Sequence, residues 1–178
     1  MTKRRVVVTG LGLVAPVGNT VAEGWNNVRD GISGIGAIEH FDVSAFTTRF
    51  AGTIRNFDIG QYLEPKEARK CDTFMHYGIA ASMQAMQDSG LAVKEAEAHR
   101  YGIAMGSGIG GVSTIEANHT KWQEGGPRKI SPFFVPGTII NMISGHVSIK
   151  YGLTGPNLAV VTACTTSTHA IGLAARLI

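Results

Sequence analysis

Cys164 is the residue of this chain best placed for chemistry, because it stands where the apolar run "NLAVVTA" gives way to "TTSTHAIGLAARLI", a helical pattern. Reactive groups of a parallel α/β sheet gather beyond the carboxyl ends of its strands, and a strand-to-helix turn is such a place. The free amides and dipole at the start of the following helix favour the thiolate over the thiol. The same turn can aim a backbone N–H at the oxyanion formed from a thioester carbonyl. A second reading stays open from position alone, since a free cysteine is often a small buried hydrophobe.

The other candidates are weaker. Cys71 lies in "ARKCDTF", at a helix entrance with no strand before it, and reads as structural. A thiol nucleophile needs a base, and the nearest histidine is His169 on the same predicted helix. Five residues at about 100° each turn it to a different face, which makes it a packing or hydrogen-bonding residue. His40, His76, His99, His119 and His146 fall in no motif and read as structural. The two cysteines have the spacing of neither a metal site nor a disulfide framework, so free thiols in a reducing compartment are expected.

Two glycine patterns offer a rival chemistry. "GLGLVA" from Gly10 to Ala15 fits the GxGxxA variant of a dinucleotide-binding turn, and "GSGIGG" from Gly106 to Gly111 fits GxGxxG. Pro16 directly after the first disfavours a helix there, and neither has a clear acidic ribose partner.

These residues must be carried by ordered elements. At 178 residues and 44% hydrophobic content, the chain can bury one substantial core as a single domain. Lys and Arg exceed Asp and Glu by 16 to 13, too small an excess to indicate nucleic-acid binding. The opening "MTKRRVVVTGLGLVAPVG" is interrupted by glycines and a threonine, which suits a strand and turn better than a signal peptide. No segment approaches the ~20 unbroken apolar residues of a membrane span, and a soluble protein is expected.

"RRVVVTGLG" predicts a buried strand that begins the sheet, and Thr20 predicts the cap of a helix through "VAEGWNNVRDG" that Gly31 stops. "ISGIGAIEHFDVSAFTTRFAGTI" reads as a loop with a short strand. Met75, Ile79, Met83 and Met86 recur at helical spacing from Asp72 to Ser89, with Phe74, Tyr77 and Ala81 as a second row. "YGIAMGSGIGG" predicts another buried strand, and "VSTIEANHTKWQEGG" a helix. The prolines of "PRKISPFFVPG" delimit a loop before a helix from about Thr138 to Tyr151. After the "TGPN" turn, "LAVVTA" reads as a central parallel strand, followed by a helix from about Thr165. Strands alternating with helices predict an α/β layer fold with a mainly parallel sheet. The last helix reaches Ile178 without a stop signal, so the chain is expected to be cut inside or just after it.

"VVTACTTSTHAIG", together with "RRVVVTGLG", "GSGIGG", "GPRKISPFFVPGTIINM" and "YGLTGPN", resembles the β-ketoacyl-[acyl-carrier-protein] synthases, in particular their type II members, over the whole chain. The resemblance implies a thiolase-like fold of two similar halves with helices on both faces of the sheet, residues 1–178 forming the first, N-terminal half. It implies an acyltransferase of fatty-acid synthesis. Cys164 would accept an acyl chain from acyl carrier protein, and decarboxylation of malonyl-carrier protein would give the carbanion that attacks it, forming the 3-oxoacyl product. The two histidines assisting these steps belong to the second half. The fragment alone would be inactive.

Residue by residue, Cys164 matches the nucleophile, and its own amide one oxyanion donor. Ile109 matches a residue gating the acyl pocket, and Phe134 and Val135 match pocket residues near the dimer interface; without the resemblance all three read as ordinary core. Ser167 stands where type II members often carry glycine and type I members can carry serine. Lys66, Arg69 and Lys70, at i, i+3 and i+4, would share a helix face that Arg128 and Lys129 extend, a basic surface suited to the acidic carrier protein. A solvated face partly neutralised by Glu64 and Glu67 is the plainer alternative. The expected protein is a cytoplasmic homodimer that uses no metal and no cofactor, with no nucleic-acid partner. The rivals are a non-catalytic synthase-like partner subunit, which retention of Cys164 disfavours, another thiolase-fold acyltransferase, and the Rossmann-type NAD(P) oxidoreductase.

Overall fold

The computed structural model describes residues 5–178. Thr20 accepts a hydrogen bond from the Glu23 amide and starts α1 (Val21–Arg29), and Gly31 follows its end at φ 71°, as its position in the sequence predicts. Two short strands, β1 (Ile35–Ala37) and β2 (Phe50–Gly52), pair antiparallel in the region read as loop and short strand. A single helical turn, α2 (Pro65–Ala68), leads into α3 (Thr73–Ser89), which Asp72 caps at its start and left-handed Gly90 at its end. Strand β3 (Ile103–Gly106), α4 (Val112–Gly125), α5 (Phe134–Thr138), α6 (Met142–Tyr151), β4 (Asn157–Val160) and α7 (Thr166–Leu177) complete the chain.

The core lies where α3 crosses α6. Met75 and Ile79 of α3 and Ile143 and Val147 of α6 are buried together, with Met83, Ile103, Met105 and Leu153 packed around them. Each fully buried side chain of this size contributes roughly 1.5–3 kcal/mol through removal of apolar surface from water. Strands β3 and β4 pair parallel, in the register Ile103↔Asn157 to Gly106↔Val160. Ile103 and Met105 point toward the α3–α6 core, whereas Gly106, of opposite parity, meets Thr166 of α7. The alternation therefore sets α6 and α7 on opposite faces of the pair. This is the α/β arrangement the sequence predicts.

Three expectations are corrected. Residues 5–14 form no strand, and Val8 is 79% exposed; Arg4, the first residue of the expected strand, lies outside the described residues. Instead, the amides of Leu11 and Leu13 donate to Asp88 and Gln84 on α3, and Gly10 and Gly12 press on that helix. A Cβ at Gly12 would run into the carbonyl oxygen of Ala81, so this backbone approach requires glycine. Side-chain acceptors on α3 replace the ladder that β-branched valines alone cannot supply.

The second correction concerns "PFFVPG", which is helical in α5 rather than a loop. Pro136 fits because it lies in the first turn, where amides have no intrahelical partner. Ile139 is extended at ψ 138°, and this break delays α6 to Met142 instead of Thr138. Third, β4 is not buried on both faces, since Leu158 and the following Val161 are exposed. Among the described residues no helix is long and apolar enough to cross a membrane.

Met75→Ala leaves a cavity at the centre of the α3–α6 contact and is expected to lower unfolding stability by about 2–5 kcal/mol. Denaturant unfolding of the full-length protein measures this, and a loss below about 1 kcal/mol contradicts the central placement of Met75.

Candidate active site

Parallel pairing places the segments after β3 and β4 at the same end of the strand pair. After β4, Thr162 leads to Ala163, which takes φ 50°, a left-handed conformation that costs a non-glycine residue on the order of 1 kcal/mol or more. One turn of 3₁₀ helix, Ala163–Thr165, runs directly into α7, and Cys164 projects from it as an exposed free thiol. The described residues therefore do not bury Cys164 as a small hydrophobe.

Threonines hold this turn in shape. The Thr165 amide and hydroxyl both donate to the Thr162 carbonyl, at 3.1 and 2.7 Å. Buried Thr166 donates its hydroxyl to the Ala163 carbonyl, while the Thr162 amide donates to that hydroxyl oxygen. His169 Nδ1 and Thr162 Oγ1 share a 2.7 Å hydrogen bond. His169 therefore braces the turn, as its helical face predicts. The threonines belong to the "VVTACTTSTHAIG" motif, but only the folded turn gives their hydroxyls partners.

The loop after β3 lies against this turn. A Cβ at Gly106 would collide with the Val160 carbonyl, and one at Gly108 would contact the Ala163 carbonyl at 3.5 Å. Gly110 has φ 88° and donates its amide to Ser107 Oγ, and the Gly111 amide donates to the Thr138 carbonyl of α5. The loop thus connects the cysteine turn to α5, and the structure brings Ile109, Phe134 and Val135 onto adjoining segments. Ile109 is 79% exposed, Val135 is exposed and Phe134 half-buried, so none of the three belongs to the buried core formed by the described residues.

Sequence alone marks Asp72 only as the first residue of a helix. Its side chain is 6% exposed and bridges two helix starts: Oδ1 accepts weakly from the Phe74 amide of α3 at 3.4 Å, and Oδ2 from the Thr114 amide of α4 at 2.8 Å. This also answers the GxGxxG reading. The first-turn amide of Thr114 in α4 is already taken by the Asp72 side chain, which competes with a dinucleotide pyrophosphate for the helix start. After "GLGLVA", no helix begins until Val21, so that match also lacks its βαβ setting.

The basic residues occupy the segment before Asp72. Helix α2 ends at Ala68, so the predicted helical face extends to Arg69 and Lys70 only through turn hydrogen bonds, Arg69 to Pro65 and Lys70 to Glu67. Lys66 and Arg69 are exposed. Lys70 is partly neutralised, with Nζ 2.7 Å from Glu67 Oε1 and 5.8 Å from the centre of the Phe133 ring. Arg128 and Lys129 lie in the 3₁₀ turn after α4, on the path to Phe133.

Cys71 is half-buried, with Sγ 3.7 Å from His146 Nε2 of α6. Burial raises its pKa above the usual thiol value and Glu67 adds to the rise, while Lys70 opposes it, which fits the structural reading. Among the described residues no three or more His, Cys, Asp or Glu side chains gather as a metal site.

With this geometry in view, the sequence profile described as β-ketoacyl synthase, N-terminal domain, matches residues 3–178. The chain belongs to this family. It is 58% identical over 178 residues to 3-oxoacyl-[acyl-carrier-protein] synthase 2 of Vibrio harveyi, covering all of this chain and 43% of that relative. A solved type II PKS ketosynthase, in complex with its acyl-carrier protein and bound to the hexaketide, matches at TM-score 0.79 and 28% identity, over 99% of this chain and 47% of the other. A β-ketoacyl synthase from Burkholderia phymatum STM815 matches at TM-score 0.82 and 26% identity, over 98% of this chain and 43% of the other. The α/β fold is thus that of the thiolase-like synthases, and the chain spans less than half the length of these relatives.

Burial lowers the His146 pKa below the ordinary imidazole value of 6.5, outweighing the opposite pull of Glu67 and acting with Lys70. The unfolded state then binds more protons just below pH 6.5, so the stability due to neutral His146 is complete above that pH and lost as pH falls through the lowered folded value. Thermal unfolding between pH 7 and 5 is expected to show a shallower pH dependence for His146→Gln than for wild type; parallel curves contradict this assignment.

Proposed function

We propose that the full-length protein is a condensing enzyme of fatty-acid synthesis, in which Cys164 carries the acyl chain. The observation that carries this reading is an exposed cysteine on a strained strand-to-helix turn, directly beside the glycine loop bearing Ile109. In the proposed first step the Cys164 thiolate attacks the thioester carbonyl of an acyl carrier protein. The backbone amide of Cys164 stabilises the oxyanion, and collapse expels the carrier thiolate, which takes a proton. Malonyl-carrier protein then loses carbon dioxide, and the resulting carbanion attacks the Cys164 thioester. The carbon–sulfur bond breaks, releasing 3-oxoacyl-carrier protein and regenerating the thiolate.

In this reading residues 1–178 are the first of two similar halves, and the histidines that assist decarboxylation and condensation lie in the second. Exposed Val6, Val7, Leu158, Ile171 and Leu177 support a further layer over this one, for these apolar side chains find little cover here. Ile109 gates the acyl pocket, and Phe134 and Val135 line it beside a homodimer interface. The reaction requires no metal or cofactor, and the enzyme works in the cytoplasm. Lys66, Arg69, Lys70, Arg128 and Lys129 receive the acidic carrier protein, with Lys66 and Arg69 the more available charges because Lys70 is shared with Glu67.

Incubation of full-length protein with acyl-carrier protein, followed by mass mapping, is expected to place the acyl group on Cys164 and to find none on Cys164→Ala. Modification elsewhere, or none in wild type, rejects the proposed nucleophile. The double reversal Lys66→Glu with Arg69→Glu is expected to lower kcat/KM for carrier-bound substrate by about tenfold or more at low salt, with a smaller effect at high salt. Unchanged kcat/KM at low salt removes these residues from the docking surface.

A further inference from the structure

We infer that Asp72 is a positioning residue for the Ile109 loop, an inference that rests on the proposed gating role of Ile109. With its side chain exposed, Ile109 gains little placement from packing, so the anchors of its loop must set where it stands. At the entry end, β3 is fixed by pairing with β4. Within the loop, Ser107 Oγ accepts from the Gly110 amide and the Thr138 carbonyl from the Gly111 amide. At the exit end α4 begins, and its start is held by the Asp72 side chain through the Thr114 amide.

The fit around Asp72 is close as well as hydrogen-bonded. A Cβ at Gly111 would lie 3.1 Å from Asp72 Cβ, and one at Gly137 would lie 3.2 Å from the Lys70 carbonyl. The segment 70–72 therefore runs against both the loop exit and α5. A buried acidic side chain with two backbone donors, from segments 42 residues apart in the case of Thr114, fixes the start of α4 relative to that of α3. The basic segment Lys66–Lys70 ends just before Asp72. This side chain thus lies between the proposed carrier-docking surface and the proposed gate.

Asp72→Ser separates the two bonds, because serine remains a good N-cap for α3 but its side chain is too short to reach Thr114. Hydrogen exchange on the full-length protein is expected to show Asp72→Ser speeding exchange of amides 108–114 by about tenfold or more while amides 74–80 stay protected. Asp72→Asn, which can keep one acceptor, should fall between Ser and wild type, and Thr20→Ala, which removes the cap of α1, should leave 108–114 unchanged. Unchanged exchange in Asp72→Ser, or equal loosening by Thr20→Ala, overturns the bridge.

The functional arm compares rates of Cys164 acylation by long and short acyl-carrier proteins. Asp72→Ser is expected to change their ratio by about threefold or more; loosened exchange with an unchanged ratio overturns the positioning role. Should wild type fail to acylate Cys164, the proposed function falls, and the exchange arm still decides whether Asp72 holds the loop.

Discussion

Parallel pairing of β3 with β4 is the constraint on which the site depends. Four residue pairs in register, ending at Gly106↔Val160, bring two loops to one end of the pair although they are more than 50 residues apart in the chain. One loop is rich in glycine and carries Ile109; the other makes the cysteine turn. Antiparallel pairing would send them to opposite ends. The small size of Gly106 then matters, because any side chain there would strike the Val160 carbonyl and part the loops.

Around that pair, hydroxyl and acidic side chains perform work that regular secondary structure cannot. Ala163 breaks the backbone direction at φ 50°, and four hydrogen bonds among Thr162, Ala163, Thr165 and Thr166 close the turn behind it. Asp72 does the same for the starts of α3 and α4. At Ala163 a strained backbone conformation is offset by these bonds, and at Asp72 a side chain supplies the partners that two helix starts lack. Cys71 illustrates the contrast, for its environment favours the neutral thiol and joins the α3 entrance to α6.

Much of the fold is written locally, and those parts were legible. Thr20 and Gly31 mark both ends of α1 because a cap and a left-handed stop act within a few residues. The methionine spacing of α3 gives its length, and the sequence around Cys164 gives the strand, the turn and the helix in order. The face of His169 follows from helical geometry alone.

Tertiary structure decided what depends on distant partners. Val6–Val8 have strand-forming side chains, yet a strand exists only where a neighbour offers a ladder, and here the following amides find Asp88 and Gln84, 77 and 71 residues away. The exposure of Leu158, Val161 and Ile109 was equally hidden, since hydrophobicity states what a residue prefers and not what the surrounding chain supplies. Asp72 looked like the ordinary opening of a helix. Its second bond, to an amide 42 residues on, arises only when α3 and α4 are packed start to start, because a hydrogen bond depends on positions in space that spacing along the chain does not record.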